Sequence, residues 1–172
     1  MTQQQMAPGY IDGPFADAIG AWAAGVTLLT VADGRDDIGT TVSAFCPVST
    51  QPPLVLVSLI ASSYPAEVLD RLDTFAVTLL SAGQRMLAGR FAAEGRPGVR
   101  LMLDDVPHRR GQASGALVLD EGLAALECEV VDRIPAGDHL LVIARVLAVP
   151  ALAEAGDPLI RFKGSYPALT RA

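Results

Sequence analysis

The apolar positions of this chain change period along its length. Phe15, Ile19 and Trp22 fall at helical spacing, and Asp12 is available as a cap, so a first helix is predicted over Asp12–Ala24, stopped by Gly25. From Val26 the pattern becomes β-branched. Val26–Val31 reads as a strand, Ala32–Asp37 as a polar hairpin turn and Gly39–Phe45 as the returning strand. The Pro52-Pro53 turn leads into Leu54–Ile60, which is apolar on both faces. Ser62-Ser63 precede a short helix over about Ala66–Leu72, and Phe75–Leu80 reads as another strand. Met86, Leu87 and Phe91 predict a second amphipathic helix within Gln84–Ala93. Gly95–Gly115 reads as loop with strand potential at Val99–Leu103. The remainder is β, over Ala116–Leu119, Leu123–Ile134, Leu140–Val149 and Leu159–Phe162.

No linker, repeat or low-complexity segment divides these elements. The expected organisation is a flexible lead over residues 1–9 and a single domain over 10–172. Many strands, few helices and short turns predict a mainly β fold with peripheral α elements. An antiparallel barrel, closed or nearly so, is favoured because closure removes exposed edges. The surplus of valine and leucine predicts that part of the surface is hidden in a homodimer.

Composition narrows the function classes. A formal charge of −6 argues against nucleic acid as a general partner, although one phosphate needs only a local pocket. Lys163 is the one lysine among 13 basic residues, and Arg85, Arg90, Arg96, Arg100, Arg109 and Arg110 fall in one stretch. Most of these read as solvated charges balancing Glu94, Asp104 and Asp105, with one or two free to meet an anionic ligand. Cys46 and Cys128 have no metal-ligand spacing and read as buried, reduced thiols. The N-terminus has no signal-peptide pattern, and the longest apolar run, Pro53 to Ala61, is far below the ~20 residues of a spanning helix. The expectation is a cytoplasmic protein that does not engage membranes.

The common nucleotide and hydrolase motifs are missing. There is no glycine-rich dinucleotide or phosphate loop and no nucleophile elbow, and His108 and His139 have no metal-binding neighbours in sequence. What stands out is Gly39–Ser58, where Thr41 and Ser43 decorate a strand whose backbone amides suit a flat polar ligand. His139 sits at the tip of Ala136-Gly-Asp-His-Leu140, where an imidazole can bind a carboxamide or manage a proton; a simple turn residue is the alternative. Ser62 and Ser63 lead into a helix N-terminus, which suits a phosphate, while an ordinary serine cap accounts for them equally on local grounds. His108 reads as a loop residue.

Several segments in order carry a likeness: Ala24–Thr30, Gly39–Phe45, Val48-Ser49, Pro52–Val57, Ser62-Ser63, Phe75–Leu80, Gln84, Phe91-Ala92, Leu126–Cys128 and Gly137–His139. Together they resemble the flavin reductase-like family, whose best-known members are reductase components of two-component flavin monooxygenases. The resemblance implies a homodimer of FMN-binding split β-barrels with flavin near the subunit interface. It implies hydride transfer from NADH or NADPH to FMN or FAD, with reduced flavin diffusing to a partner monooxygenase. Carried onto this chain, Thr41, Val42, Ser43 and Ala44 would contact the isoalloxazine, with Ser58 nearby. Ser62, Ser63 and Arg100 would meet the ribityl phosphate, Gln84 and Phe91 would line the pocket, and His139 would face the nicotinamide. Ile60, Pro65 and Thr78 depart from residues that relatives often carry, which tilts the expectation toward flavin as a substrate rather than a fixed group. Two other readings keep the fold: a flavin carrier without turnover, and a ligand-free assembly subunit.

Overall fold

The computed structural model describes residues 13–34, 36–93, 95 and 97–170. In chain order the elements are helix α1 (Pro14–Gly20), strands β1 (Ala24–Gly25), β2 (Thr27–Asp33), β3 (Asp36–Val42), β4 (Phe45–Thr50) and β5 (Pro53–Ile60), helix α2 (Tyr64–Arg71) and β6 (Thr74–Leu79). A 3₁₀ turn (Ala82–Gln84) opens helix α3 (Arg85–Ala92), followed by α4 (Val99–Met102), β7 (His108–Arg110), β8 (Leu117–Leu119), β9 (Ala124–Ala136), β10 (His139–Leu152) and β11 (Ile160–Arg161).

Seven strands form one sheet in the order β3-β2-β6-β9-β10-β5-β4, every neighbour antiparallel. The edges are β3 and β4, yet these two are consecutive in sequence and joined only by Ser43 and Ala44. Val42 and Phe45 are three residues apart, so the two edges come within about 11 Å at that end. The sheet must therefore curl until its edges meet there, which makes a barrel closed at one end and split along the rest. Ser58 N donates to Ala44 O at 2.9 Å and Thr27 Oγ1 donates to Val42 O at 2.8 Å, pinning the junction from both sides.

Period-two burial explains the barrel interior. Leu29 and Val31 of β2, Val55, Val57 and Leu59 of β5, Phe75 and Val77 of β6, Cys128 of β9, and Val142 and Ala144 of β10 point inward, and Val68 and Leu69 of α2 plug one end. Leu28 faces the other way, into a second core with Leu80, Leu87, Phe91, Val99, Met102 and Leu119 beneath α3 and α4. Both faces of β2 are buried, so its apolar run has no alternation.

Several expected elements shift. The cap Asp12 and the lead over residues 1–9 lie outside the described residues. Gly25 does not simply stop a helix: with Ala24 it pairs with Arg161 and Ile160. Phe45–Thr50 is a strand of its own, because the edge junction at Ser43-Ala44 divides what reads as one extended segment. Val99–Met102 is a turn of helix rather than a strand, because Val99 and Met102 share one side of it and bury against the second core. Cys46 is exposed rather than buried: it pairs with Leu56, on the outward side of β5. Cys128 is enclosed, and burial pushes its thiol up to about 12.

Candidate active site

The junction between the two sheet edges positions the hydroxyl-rich residues. On β3 the inward residues are Ile38 and Val42, so Thr41 shares the outward side with Gly39. That side faces α3. Phe91 lies over Gly39 so closely that a Cβ there would stand 2.7 Å from the ring Cε1. Two residues farther along β3, a cleft of about 150 Å³ opens, lined by Thr41, Ser43, Val26, Ala92, Arg161 and Tyr166. Arg161, Gly164 and Tyr166 form its far wall. Arg85 lies 5.8 Å over the Tyr166 ring, and the amide Nε2 of its chain neighbour Gln84, which does not line the cleft, is enclosed with no hydrogen-bond partner. Gln84 Oε1 accepts from Ser81 N at 3.0 Å, so the orphaned nitrogen is held in place by its own side chain. A larger hollow of about 610 Å³ between α3 and α4 is walled by Arg90, Leu101, Met102 and Asp105 and contains none of the expected ligand residues.

A second group assembles one strand away. Ser58 alternates with the buried Val57 and Leu59 and so faces outward, opposite Leu141 of β10. His139 pairs with Ile60 two residues farther on, about 7 Å along the strand. Ala61 N donates to Asp138 O at 2.9 Å and Ser63 N donates to Ile60 O at 2.9 Å, which binds the Gly137-Asp138 turn to the start of α2. Ser63 caps that helix, accepting from Ala66 N at 3.4 Å, and Ser62 is exposed beside it. His139 Nδ1 donates to Asp138 Oδ1 at 2.7 Å, which leaves Nε2 as the ring nitrogen available to a ligand. The same hydrogen bond holds the Asp138 carboxyl below the usual carboxylate range.

Two expected ligand residues stand apart from both groups. Phe91 is 1% exposed and belongs to the core under α3, while its neighbour Ala92 reaches the cleft. Arg100 Nε donates to Asp37 Oδ2 at 2.7 Å, and Arg110 forms a bidentate pair with the same carboxylate at 2.7 and 2.8 Å. Burial works against the Asp37 charge, but the hydrogen bonds from Arg110 and Arg100 outweigh it and keep that carboxyl below its ordinary range. His108 is in strand β7, with Nδ1 2.8 Å from Val106 O. Among the described residues no cluster of acidic, histidine and cysteine side chains suits a metal. No helix among them is long and apolar enough to cross a membrane.

The flavin reductase-like domain model matches residues 19–170. The chain belongs to this family. It is 36% identical over 155 residues to an NADH-dependent FMN reductase, AsuE2, of Streptomyces nodosus subsp. asukaensis, covering 90% of this chain and 83% of the relative. It is 32% identical over 152 residues to the reductase component of 4-hydroxyphenylacetate 3-monooxygenase of Thermus thermophilus, covering 88% and 93%. Among solved structures, the NADH:FAD oxidoreductase SgcE6 of Streptomyces globisporus, in complex with NAD and FAD fragments, superposes with a TM-score of 0.84 at 30% identity and 91% coverage of both chains. Flavin reductase PheA2 superposes with a TM-score of 0.80 at 34% identity, covering 91% and 97%. The split barrel expected from the family likeness is the fold observed.

Sequence reasoning missed the far wall of the cleft. Arg161 and Tyr166 are more than a hundred residues from Thr41 and reach it only because β11 pairs with β1. The available signal was a charge at Arg161 interrupting the otherwise apolar run Leu159–Phe162.

Proposed function

We propose that the chain reduces FMN or FAD with NADH or NADPH and passes the reduced flavin to a partner monooxygenase. The observation that carries this reading is the seam where β3 passes to β4. There Thr41 and Ser43 line a cleft, and a strand rich in hydroxyl residues suits a planar polar ligand. The orphaned Gln84 Nε2, which does not line that cleft, is an enclosed donor that an acceptor could satisfy. When bound, the flavin supplies a hydride acceptor and the reduced nicotinamide the donor.

The residues of the chain have separable tasks. Thr41, Val42, Ser43 and Ala44 orient the ring edge, so that proximity contributes much of the rate. Ser62, Ser63 and the N-terminus of α2 take a phosphate; Arg100, held on Asp37 apart from this group, is not assigned to it. Ser58 and Gln84 place polar groups beside the ring, and Phe91 sets the position of Ala92 in the wall from beneath. His139, already oriented by Asp138, offers Nε2 to the nicotinamide carboxamide.

A homodimer completes the site in this reading. The outward side of the β5–β10–β9 surface carries Leu56, Ile60, Leu141, Ile143 and Ile134, with Val131, Leu147 and Val149 also exposed farther along the ribbon. An apolar surface of this extent marks an interface, and it runs past Ser58 and His139. The free thiols Cys46 and Cys128 fit a reducing, cytoplasmic setting.

Anaerobic titration of the purified protein with FMN, followed by NADH and then NADPH, tests the assignment. Flavin binding followed by bleaching of its visible absorbance is expected. Absence of flavin binding overturns both the reductase and the carrier readings; binding without bleaching by either donor leaves only the carrier. Light scattering should give twice the monomer mass, and a monomer at micromolar concentration would refute the dimer.

A further inference from the structure

Most described arginines are tied to a neighbour. Arg71 pairs with Asp33, Arg90 with Asp105, Arg100 and Arg110 with Asp37, Arg109 with Asp120, Arg133 with Asp73 and Arg145 with Glu129. Arg85 stacks over Tyr166. Arg161 is the exception: among the described residues its side chain has no ion pair, hydrogen bond or ring contact. Its backbone is nonetheless fixed. Arg161 pairs with Ala24, Val26 N donates to Leu159 O at 2.9 Å, and Leu159 is buried in the second core. A rigid strand thus brings Arg161 to the cleft that Thr41 and Ser43 also line, and no acidic residue is among the lining residues. Arg161 is exposed and so solvated when the cleft is empty, and an anion entering the cleft meets a guanidinium with no carboxylate among the lining residues to compete for it.

We propose that Arg161 is the anion-binding residue of this cleft and that its planar donor fork meets the pyrimidine edge of the flavin, a step that rests on the flavin reductase reading above. Hydride transfer from NADH delivers two electrons and one proton to FMN. It releases NAD⁺ and leaves anionic reduced FMN, whose negative charge is shared by N1 and the C2 carbonyl. A guanidinium at that edge binds the reduced form more tightly than the oxidised one, because the charge it pairs with exists only after reduction. The site at Ser62-Ser63 lies across the β4–β5 side of the seam, so phosphate is expected there and not at Arg161.

The test compares wild type with Arg161→Gln and Arg161→Lys, using FMN and lumiflavin, which lacks the ribityl phosphate, each in oxidised and dithionite-reduced form. Arg161→Gln should weaken the reduced form of both ligands about tenfold more than the oxidised form, the fold-change of one charge-assisted hydrogen bond. Such a difference lowers the potential of the bound two-electron couple by about 30 mV. Arg161→Lys keeps charge without the fork and should fall between the two. Equal loss in both redox states, no loss at all, or loss with FMN but not lumiflavin (a phosphate contact) would each overturn the proposal. Unchanged thermal melting of the variants establishes that binding, not folding, is read. A wild type that binds neither ligand refutes the functional reading and this proposal with it; a wild type that binds and reduces FMN beside an unaltered Arg161→Gln refutes this proposal alone.

Discussion

Replacing Asp37 with asparagine should loosen the cover over the second core. The carboxylate sits on β3 with its side chain 1% exposed and receives three charge-assisted hydrogen bonds, one from Arg100 on α4 and two from Arg110 on β7. One buried anion therefore fastens two separate segments to the barrel edge. Asparagine keeps the shape but removes the charge, leaving two guanidiniums facing a neutral amide. Breaking a buried ion pair costs about 3–5 kcal/mol. Both arginines are about half exposed, so water offsets part of the loss; about 1–3 kcal/mol is expected here. For a domain of this size each kcal/mol moves the melting temperature by about 2–4 °C, so Asp37→Asn should melt about 2–12 °C lower at pH 7.

The pH dependence gives the sharper test. The folded-state value of Asp37 lies below its unfolded value of about 3.9. The stabilisation is therefore complete above that unfolded value and disappears as pH falls through the folded one. Differential scanning calorimetry of both proteins from pH 7 down to about 2 should show their melting curves converging only at the acid end. Equal melting at pH 7, or a difference that persists undiminished at pH 2, would refute the assignment of Asp37 as a charged clamp.

Three further outcomes follow from the same geometry. Gly39→Ala puts a methyl 2.7 Å from Phe91 Cε1 and 3.2 Å from Val99 Cγ2, and should destabilise by about 1–3 kcal/mol in chemical denaturation; pairing it with Phe91→Leu should recover part of the loss, and additive losses would disprove the clash. Glu127 is buried and its Oε2 accepts from Ala113 N, Ser114 N and Ser114 Oγ at 2.8, 2.6 and 2.8 Å, so Glu127→Ala should cost about 3 kcal/mol or more; hydrogen exchange at Ala113 and Ser114 no faster than in wild type would contradict this. His139→Ala should raise the KM for NADH or lower turnover while flavin affinity stays nearly constant, and steady-state kinetics that match wild type would return His139 to a turn residue.

The strands were largely legible because each buries one side or both, and period two survives in the sequence; of the pairings only the hairpin of Val26–Val31 with Gly39–Phe45 was read, and the order of the seven strands was not. The closed hairpin β2–β3 and the ribbon β9–β10 follow directly from apolar runs bounded by Gly34 and Gly137. Val99–Met102 was not legible. Four residues cannot display a helical period, and the side they bury is decided by Phe91 and Leu103, contributed from outside the segment. Cys46 illustrates the same limit. Its neighbours read as a strand interior, but which strand face is covered depends on how the sheet curls, a property of seven strands together.

The ligand cleft shows why the site was only half readable. Its near wall, Thr41 to Ser43, is local: hydroxyls on a strand that ends where the sheet closes. Its far wall is assembled by β11 pairing with β1, two residues each, a contact too short to leave a periodic trace. On the proposal above, the charge on that wall matters most to the chemistry, because the residues lining the cleft include no acid–base pair and reduced flavin would be stabilised there by fixed donors. Backbone amides are present on a strand whatever its side chains are. A guanidinium on β11 is a side-chain choice. On the same proposal, tuning between holding reduced flavin and releasing it lies at residue 161, apart from the Thr41–Ser43 strand proposed to meet the ring, and the two properties can change independently. Substitution at Thr41 or Ser43 should weaken both redox forms together, whereas substitution at Arg161 should separate them.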